Sequence, residues 1–191
     1  MQKKFTKEFM LINKGCYSEE QLLQTSFMKN KSITLNQILK SEISLKDKYW
    51  FVCKKLATKE QNQLLAISCA EIVLEIYENK YPENKAPRES IQAAKDYLND
   101  EITIEILREK RKAASAAAAS ASAATYADAA YAADAASTAA AAASAADATY
   151  DDAAYATHAV AAAAYAVAAY TAKKDLNNLL LQNLINFCKT N

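Results

Sequence analysis

Along the first hundred residues, apolar side chains recur every three to four positions in short segments, most of them opened by a hydroxyl residue. Ser18-Glu-Glu-Gln21 has the spacing of a capping box: a serine side chain bonds the amide three residues on, and the glutamine returns to the serine amide. It predicts a helix with Leu22, Leu23 and Phe27. Thr34 caps a short helix with Leu35, Ile38 and Leu39. Ser44 caps the next, with Asp47 in its first turn and Tyr49, Trp50, Phe51 and Leu56 as bulk. Thr58-Lys-Glu-Gln61 is a second capping box. It opens a long helix in which Leu65, Cys69, Ile72 and Ile76 fall at i, i+4, i+7 and i+11, a single helical stripe. The stretch from Tyr81 to Pro87 ends that helix. Pro87, with its fixed φ and missing N–H, suits the first turn of a following helix from Arg88 to about Leu98, with Ile91, Ala94 and Leu98 inward. Asn99-Asp100 marks another joint, and a helix from about Thr103 runs on past residue 112.

There the pattern changes. The 60 residues 113–172 comprise 36 Ala, 6 Tyr, 5 Asp, 5 Ser and 5 Thr, with two Val and one His, and no Lys, Arg, Gly, Pro, Leu or Ile. Thr125-Tyr-Ala-Asp-Ala-Ala-Tyr131 recurs as Thr149-Tyr-Asp-Asp-Ala-Ala-Tyr155, and Tyr165-Ala-Val-Ala-Ala-Tyr170 is a third copy without the aspartate. One unbroken helix over this window would be ~90 Å long, beyond a small domain's diameter, so at least one reversal is expected. The best N-terminus signal lies at 147–152, where Asp147 or Thr149 precedes Asp151 and Asp152; Ser120–Thr125 is the weaker candidate. A final helix then runs from about Tyr150 through Leu176, Leu179, Leu180, Leu184, Ile185 and Phe187 and docks on the first half. High helix propensity and the tyrosine rings are expected to hold the window together, its alanine faces letting helices approach closely.

Composition turns these segments into a fold class. Glycine occurs once, at Gly15, and proline twice, at Pro82 and Pro87, too few strong turn formers for a sheet protein. Mean hydropathy is only −0.19 although 52% of residues are hydrophobic, because alanine counts as apolar but buries little area. The expectation is an all-α protein: a compact multi-helix N-terminal half packed on an extended alanine-rich helical hairpin or bundle. The parts are 1–112, a core of capped helices, and 113–191, alanine-rich with a leucine-rich end, together forming one continuous domain.

Charge bounds the partners. The net +1 hides a partition: residues 1–112 carry 20 basic and 16 acidic side chains, the window none and 5, the last 19 residues 3 and 1. Five aspartates along the window make a membrane span costly. The one basic knot, Arg108, Lys110, Arg111 and Lys112, is interleaved with Glu105 and Glu109 and reads as a solvated helix face rather than a nucleic-acid site. Phe9 to Ile12 is too short for the apolar stretch of a signal peptide. Cys16, Cys53, Cys69 and Cys188 lack metal-ligand spacing and sit among apolar neighbours, as reduced thiols do in the cytoplasm.

No catalytic, metal or cofactor motif emerges. His158 follows Tyr155 by three residues and Asp151 by seven, so the three share a helix face, without a nucleophile at any familiar spacing. Glu71, Glu75 and Glu78 lie on one face but lack the Glu-x-x-His element of di-iron bundles. Thr138, Thr149, Val160 and Thr171 are eleven apart, an array that ice-binding alanine helices use. The strongest surface signal is tyrosine beside aspartate: Tyr126, Asp128, Tyr131, Asp134, Tyr150, Asp151, Asp152 and Tyr155, with His158 alongside. Such a face suits a basic protein surface.

A resemblance adds to this. Cys69-Ala-Glu-Ile-Val-Leu-Glu-Ile-Tyr77, then Tyr81-Pro82, Ala86-Pro87-Arg88, Ile91-Gln-Ala-Ala94 and Tyr97-Leu98 resemble the Imm-5-like immunity protein family, typified by C-A-E-x-V-L, P-x-x-x-x-P-R-x-A-I-x-A-A and an alanine-rich tail. Thr34-Leu-x-x-Ile38 and Leu45-x-Asp-Lys-Tyr-Trp50 are similar to the family's leader. The resemblance covers about residues 15–170, its specific part 64–98. Many relatives carry several His and Gly in the tail, where this chain has only His158 and no Gly. The resemblance implies an all-α cytoplasmic protein that neutralises a partner by binding. Taken with the Tyr/Asp face, the expected function is a non-enzymatic inhibitor that masks a toxin or effector nuclease; the alternatives are a counter-defence protein of anti-CRISPR type aimed at a CRISPR effector, and an ice-binding alanine-rich helix protein.

Overall fold

The computed structural model describes residues 4–13, 17–30, 32–124, 126–144, 158–159, 162–163, 166 and 173–190. The fold is all-α. In chain order the helices are α1 (Lys7–Ile12), α2 (Glu19–Gln24), a 3-10 turn (Ser26–Lys29), α3 (Leu35–Leu39), α4 (Leu45–Lys55), α5 (Lys59–Lys80), α6 (Ala86–Leu98), α7 (Ile104–Ala123), α8 (Ala127–Ser144) and α9 (Lys173–Thr190). Capping boxes form at Ser18, Thr34 and Thr58, and Ser44 Oγ accepts from the Asp47 amide. Pro87 sits in the first turn of α6. Among the described residues, the one addition to the helical expectation is a minimal antiparallel pair, β1 (Lys4–Phe5) with β2 (Ile33–Thr34), in register Phe5↔Ile33. It clips the N-terminus to the entry of α3.

Two cores result. Beneath the β pair, Met10, Leu22, Phe27, Met28, Ile33, Ile38 and Phe51 are buried, with Phe5, Phe9 and Trp50 against them. The larger core is centred on α5, whose buried residues include Leu65, Ala66, Cys69, Ala70, Val73, Ile76 and Tyr77. They extend beyond a single stripe because α5 meets α6, α8 and α9. Leu180 and Leu184 of α9 dock there fully buried, as the leucine-rich end predicts.

The alanine window folds back between Ala124 and Tyr126, the weaker of the two expected positions; the stronger, 147–152, lies outside the described residues. Ala124 donates its amide to Ser120 and Tyr126 to Ala121, at 3.1 and 3.0 Å, closing α7 without glycine. Ser115 and Ser137, equidistant from Tyr126 along the chain, meet at 2.7 Å between Oγ atoms, so α7 and α8 form an antiparallel hairpin. Helix α8 is the hub, packed against α5, α6 and α7. What binds it departs from expectation: the described tyrosines of the window, Tyr126 and Tyr131, are 45% and 39% exposed, and Ala129, Ala132, Ala133, Ala135, Ala136, Ala139, Ala140 and Ala142 are fully buried. Methyl groups set the spacing, and backbones come near enough for side chains to reach carbonyls. Ser90 Oγ bonds the Ala136 carbonyl at 3.3 Å, and Gln63 Nε2 the Ala142 and Ala143 carbonyls at 3.2 and 3.3 Å.

Candidate functional site

Only one side of α8 reaches solvent over its first half. Asp128, Tyr131 and Asp134, at i, i+3 and i+6, occupy it. Tyr126 precedes them at the hairpin turn. Tyr131 is exposed, while Asp128 and Asp134 are half-buried. Asp128 stands in the first turn, where a negative charge is favoured by the helix dipole, and its Oδ1 accepts from the Ala129 amide at 2.9 Å. The structure therefore assembles four of the expected contact residues at one end of the hairpin. His158 is an exposed helical residue. Tyr150, Asp151, Asp152 and Tyr155 lie outside the described residues.

The site gains neighbours that sequence reasoning missed. The Tyr81 ring, at the end of α5, stacks on Tyr77 at 5.0 Å and meets Tyr126 edge-on at 6.2 Å. Lys80 Nζ lies 5.1 Å from the Tyr126 ring centroid, a cation–π distance. Residues 81 and 126 are far apart in sequence, and no local pattern pairs them. This end of the bundle is thus aromatic with charges of both signs, not simply acidic.

Other clusters carry structure. Glu71 and Glu78 of the acidic face on α5 are bound to α6, Glu71 by Lys95 and Glu78 by Arg88 in a bidentate pair. In the basic knot, Lys110 pairs with Glu89 at 2.8 Å. Thr138, the described member of the eleven-residue array, is 8% exposed and donates to the Asp134 and Ala135 carbonyls, so it presents no surface hydroxyl. Between α4, α5 and α9, the Tyr49 hydroxyl donates to the Leu180 carbonyl at 2.7 Å and lies 3.4 Å from Cys69 Sγ, while Asn183 bonds Ser68 Oγ at 3.0 Å. Burial pushes the Cys69 thiol up to about 12 and the Tyr49 phenol far above its ordinary range. Both are held protonated at neutral pH, and the Tyr49 bond to the Leu180 carbonyl ties α9 to α4. A cavity of about 30 Å³ among Met10, Tyr17, Leu22, Phe27, Trp50 and Phe51 is of water size. Among the described residues no three His, Cys, Asp or Glu side chains converge as metal ligands.

A family model described as Imm-5 like putative immunity protein matches residues 54–183, more than half of the chain. The chain belongs to that family. Neither the comparison with curated proteins nor that with solved structures finds a match. The Imm-5 like match begins in the last turn of α4 and takes in α5 to α8, hence the whole described Tyr126–Asp134 surface. Membership points to an immunity-type role, one exercised by binding another protein. Among the described residues, no helix is long and apolar enough to cross a membrane.

Proposed function

We propose that this chain is a non-enzymatic inhibitor that binds a toxin or effector nuclease and masks its surface in the cytoplasm. The observation that carries this is the solvent side of α8 and its entry: Tyr131, Asp128 and Asp134 on a hub helix otherwise buried mainly through alanine, with Tyr126 just before it at the turn, in a chain of an immunity family. Tyrosine supplies contact area at low entropic cost. Half-buried carboxylates held by a rigid helix offer a basic partner a fixed counter-charge, which sets register and speeds encounter. Tyr150, Asp151, Asp152, Tyr155 and His158 extend the same reading along the repeat.

Capture of the partner from host lysate on tagged protein, followed by mass spectrometry, is the test. Its identity also separates a toxin from a CRISPR effector. Changing Asp128, Asp151 and Asp152 together to Asn is expected to weaken the captured complex at least tenfold; undiminished binding removes the acidic face from the interface.

A further inference from the structure

The cluster at the bundle end contains a group that the fold does not need. The Tyr81 hydroxyl is shut off from solvent and has no hydrogen-bond partner among the described residues. Buried tyrosine hydroxyls normally find a partner, and an unpaired one is a net cost that phenylalanine would avoid while packing equally well on Tyr77. A neighbour is the half-exposed Tyr126 ring, edge-on at 6.2 Å. Its backbone is pinned, the amide on the Ala121 carbonyl at 3.0 Å and the carbonyl accepting from Ala130 at 2.9 Å. Its ring is 45% exposed. Lys80 is held to that ring and forms no ion pair among the described residues.

We propose that Tyr126 is a gate, and that the place it covers receives a carboxylate side chain of the protein partner. With the ring turned aside, the Tyr81 hydroxyl donates to one carboxylate oxygen and the Lys80 ammonium, released from the ring, pairs with the same group. An ammonium offers only donors, and a phenol beside it pairs best as a donor too, so an anionic acceptor satisfies both. An incoming guanidinium would meet the Lys80 charge instead. Asp128 and Asp134, on the adjoining α8 surface, face basic groups. The partner surface therefore alternates in sign, acidic over the hairpin turn and basic along α8. This rests on the proposed docking role of the same surface and adds its chemistry.

The probe is a capped penta-glutamate peptide titrated into isotopically labelled full-length protein, followed at the amide resonances of Lys80, Tyr81 and Tyr126. Tyr126→Ala deletes contact area yet is expected to tighten peptide binding at least threefold, because it opens the gate and frees Lys80. Adding Tyr81→Phe to that variant is expected to cancel the gain, Lys80→Met to weaken binding at least threefold, and Tyr126→Phe to leave it as in the wild type. Binding by Tyr126→Ala that is unchanged or weaker, or a gain that survives Tyr81→Phe, overturns the gate. Partner capture by the wild type reads the docking role separately, so either idea can fail while the other stands.

Discussion

In the N-terminal core, Phe27, Met28, Ile33 and Ile38 are buried because large side chains fill the space between short helices. In α8, Ala132, Ala136 and Ala139 are equally buried because neighbouring backbones approach until a methyl suffices. The first core gains mainly by removing apolar area from water, ~25 cal/mol per Å². The second buries little area per residue and depends on contact density and on helix backbones that others can reach, as Ser90 and Gln63 do. The difference teaches that burial alone does not say which substitution hurts. One region fears loss of volume, the other its gain.

That contrast breaks or holds by experiment. Phe27→Ala leaves a cavity under the β pair and is expected to cost about 3–5 kcal/mol in urea unfolding. Ala136→Leu overpacks the α6–α8 contact and displaces the Ser90 bond, for about 1–3 kcal/mol. Ala116→Leu, on the exposed face of α7, is expected to stay within about 0.5 kcal/mol of wild type. Should Ala136→Leu match Ala116→Leu in the same assay, α8 is loosely packed and the comparison collapses.

The two regions were also unequally legible. Ser18, Thr34, Ser44 and Thr58 announce their helices because a cap is a local bond between residues three apart, and Tyr81 to Pro87 punctuates α5 for a similarly local reason. The helix class of the alanine window followed from propensity. Its turn at Ala124–Tyr126 stood out less, because tertiary docking of α8 on α5 and α6 stabilises it, not a glycine or proline. Likewise Tyr126, Asp128 and Tyr131 stand out as a repeat, with Asp134 just beyond it, whereas Lys80 and Tyr81 join them only once α5 and the hairpin turn share an end of the bundle. The docking of α9 was foreseeable from its leucines; the Tyr49–Leu180 bond that fixes its position was not, being contact between helices more than a hundred residues apart.

That bond tests how α9 depends on the large core. Tyr49→Phe keeps the ring and removes the donor; the Leu180 carbonyl retains its place in the α9 helix ladder, so about 1 kcal/mol is expected, seen in thermal unfolding. A larger loss would make the polar lock, not Leu180 and Leu184, the main anchor of α9.

The smallest effect is expected at the surface pair joining α5 to α6. Arg88 donates from Nε to Glu78 Oε1 at 2.7 Å, and this hydrogen bond, with the guanidinium charge, holds the Glu78 carboxyl below its ordinary range. A carboxylate whose folded pKa lies below its unfolded one adds stability above the unfolded value, and loses it as pH falls through the folded one. The Arg88 side chain is 59% exposed, so solvent screens the pair and its share is slight. Glu78→Gln is therefore expected to unfold slightly earlier than wild type at pH 7 and together with it below the carboxylate range. The gap is also expected to close in about 1 M salt, where charges are screened within ~3 Å. A deficit that persists unchanged in acid would mean that Glu78 acts by packing between α5 and α6, and would move this contact from the electrostatic surface into the bulk-filled core.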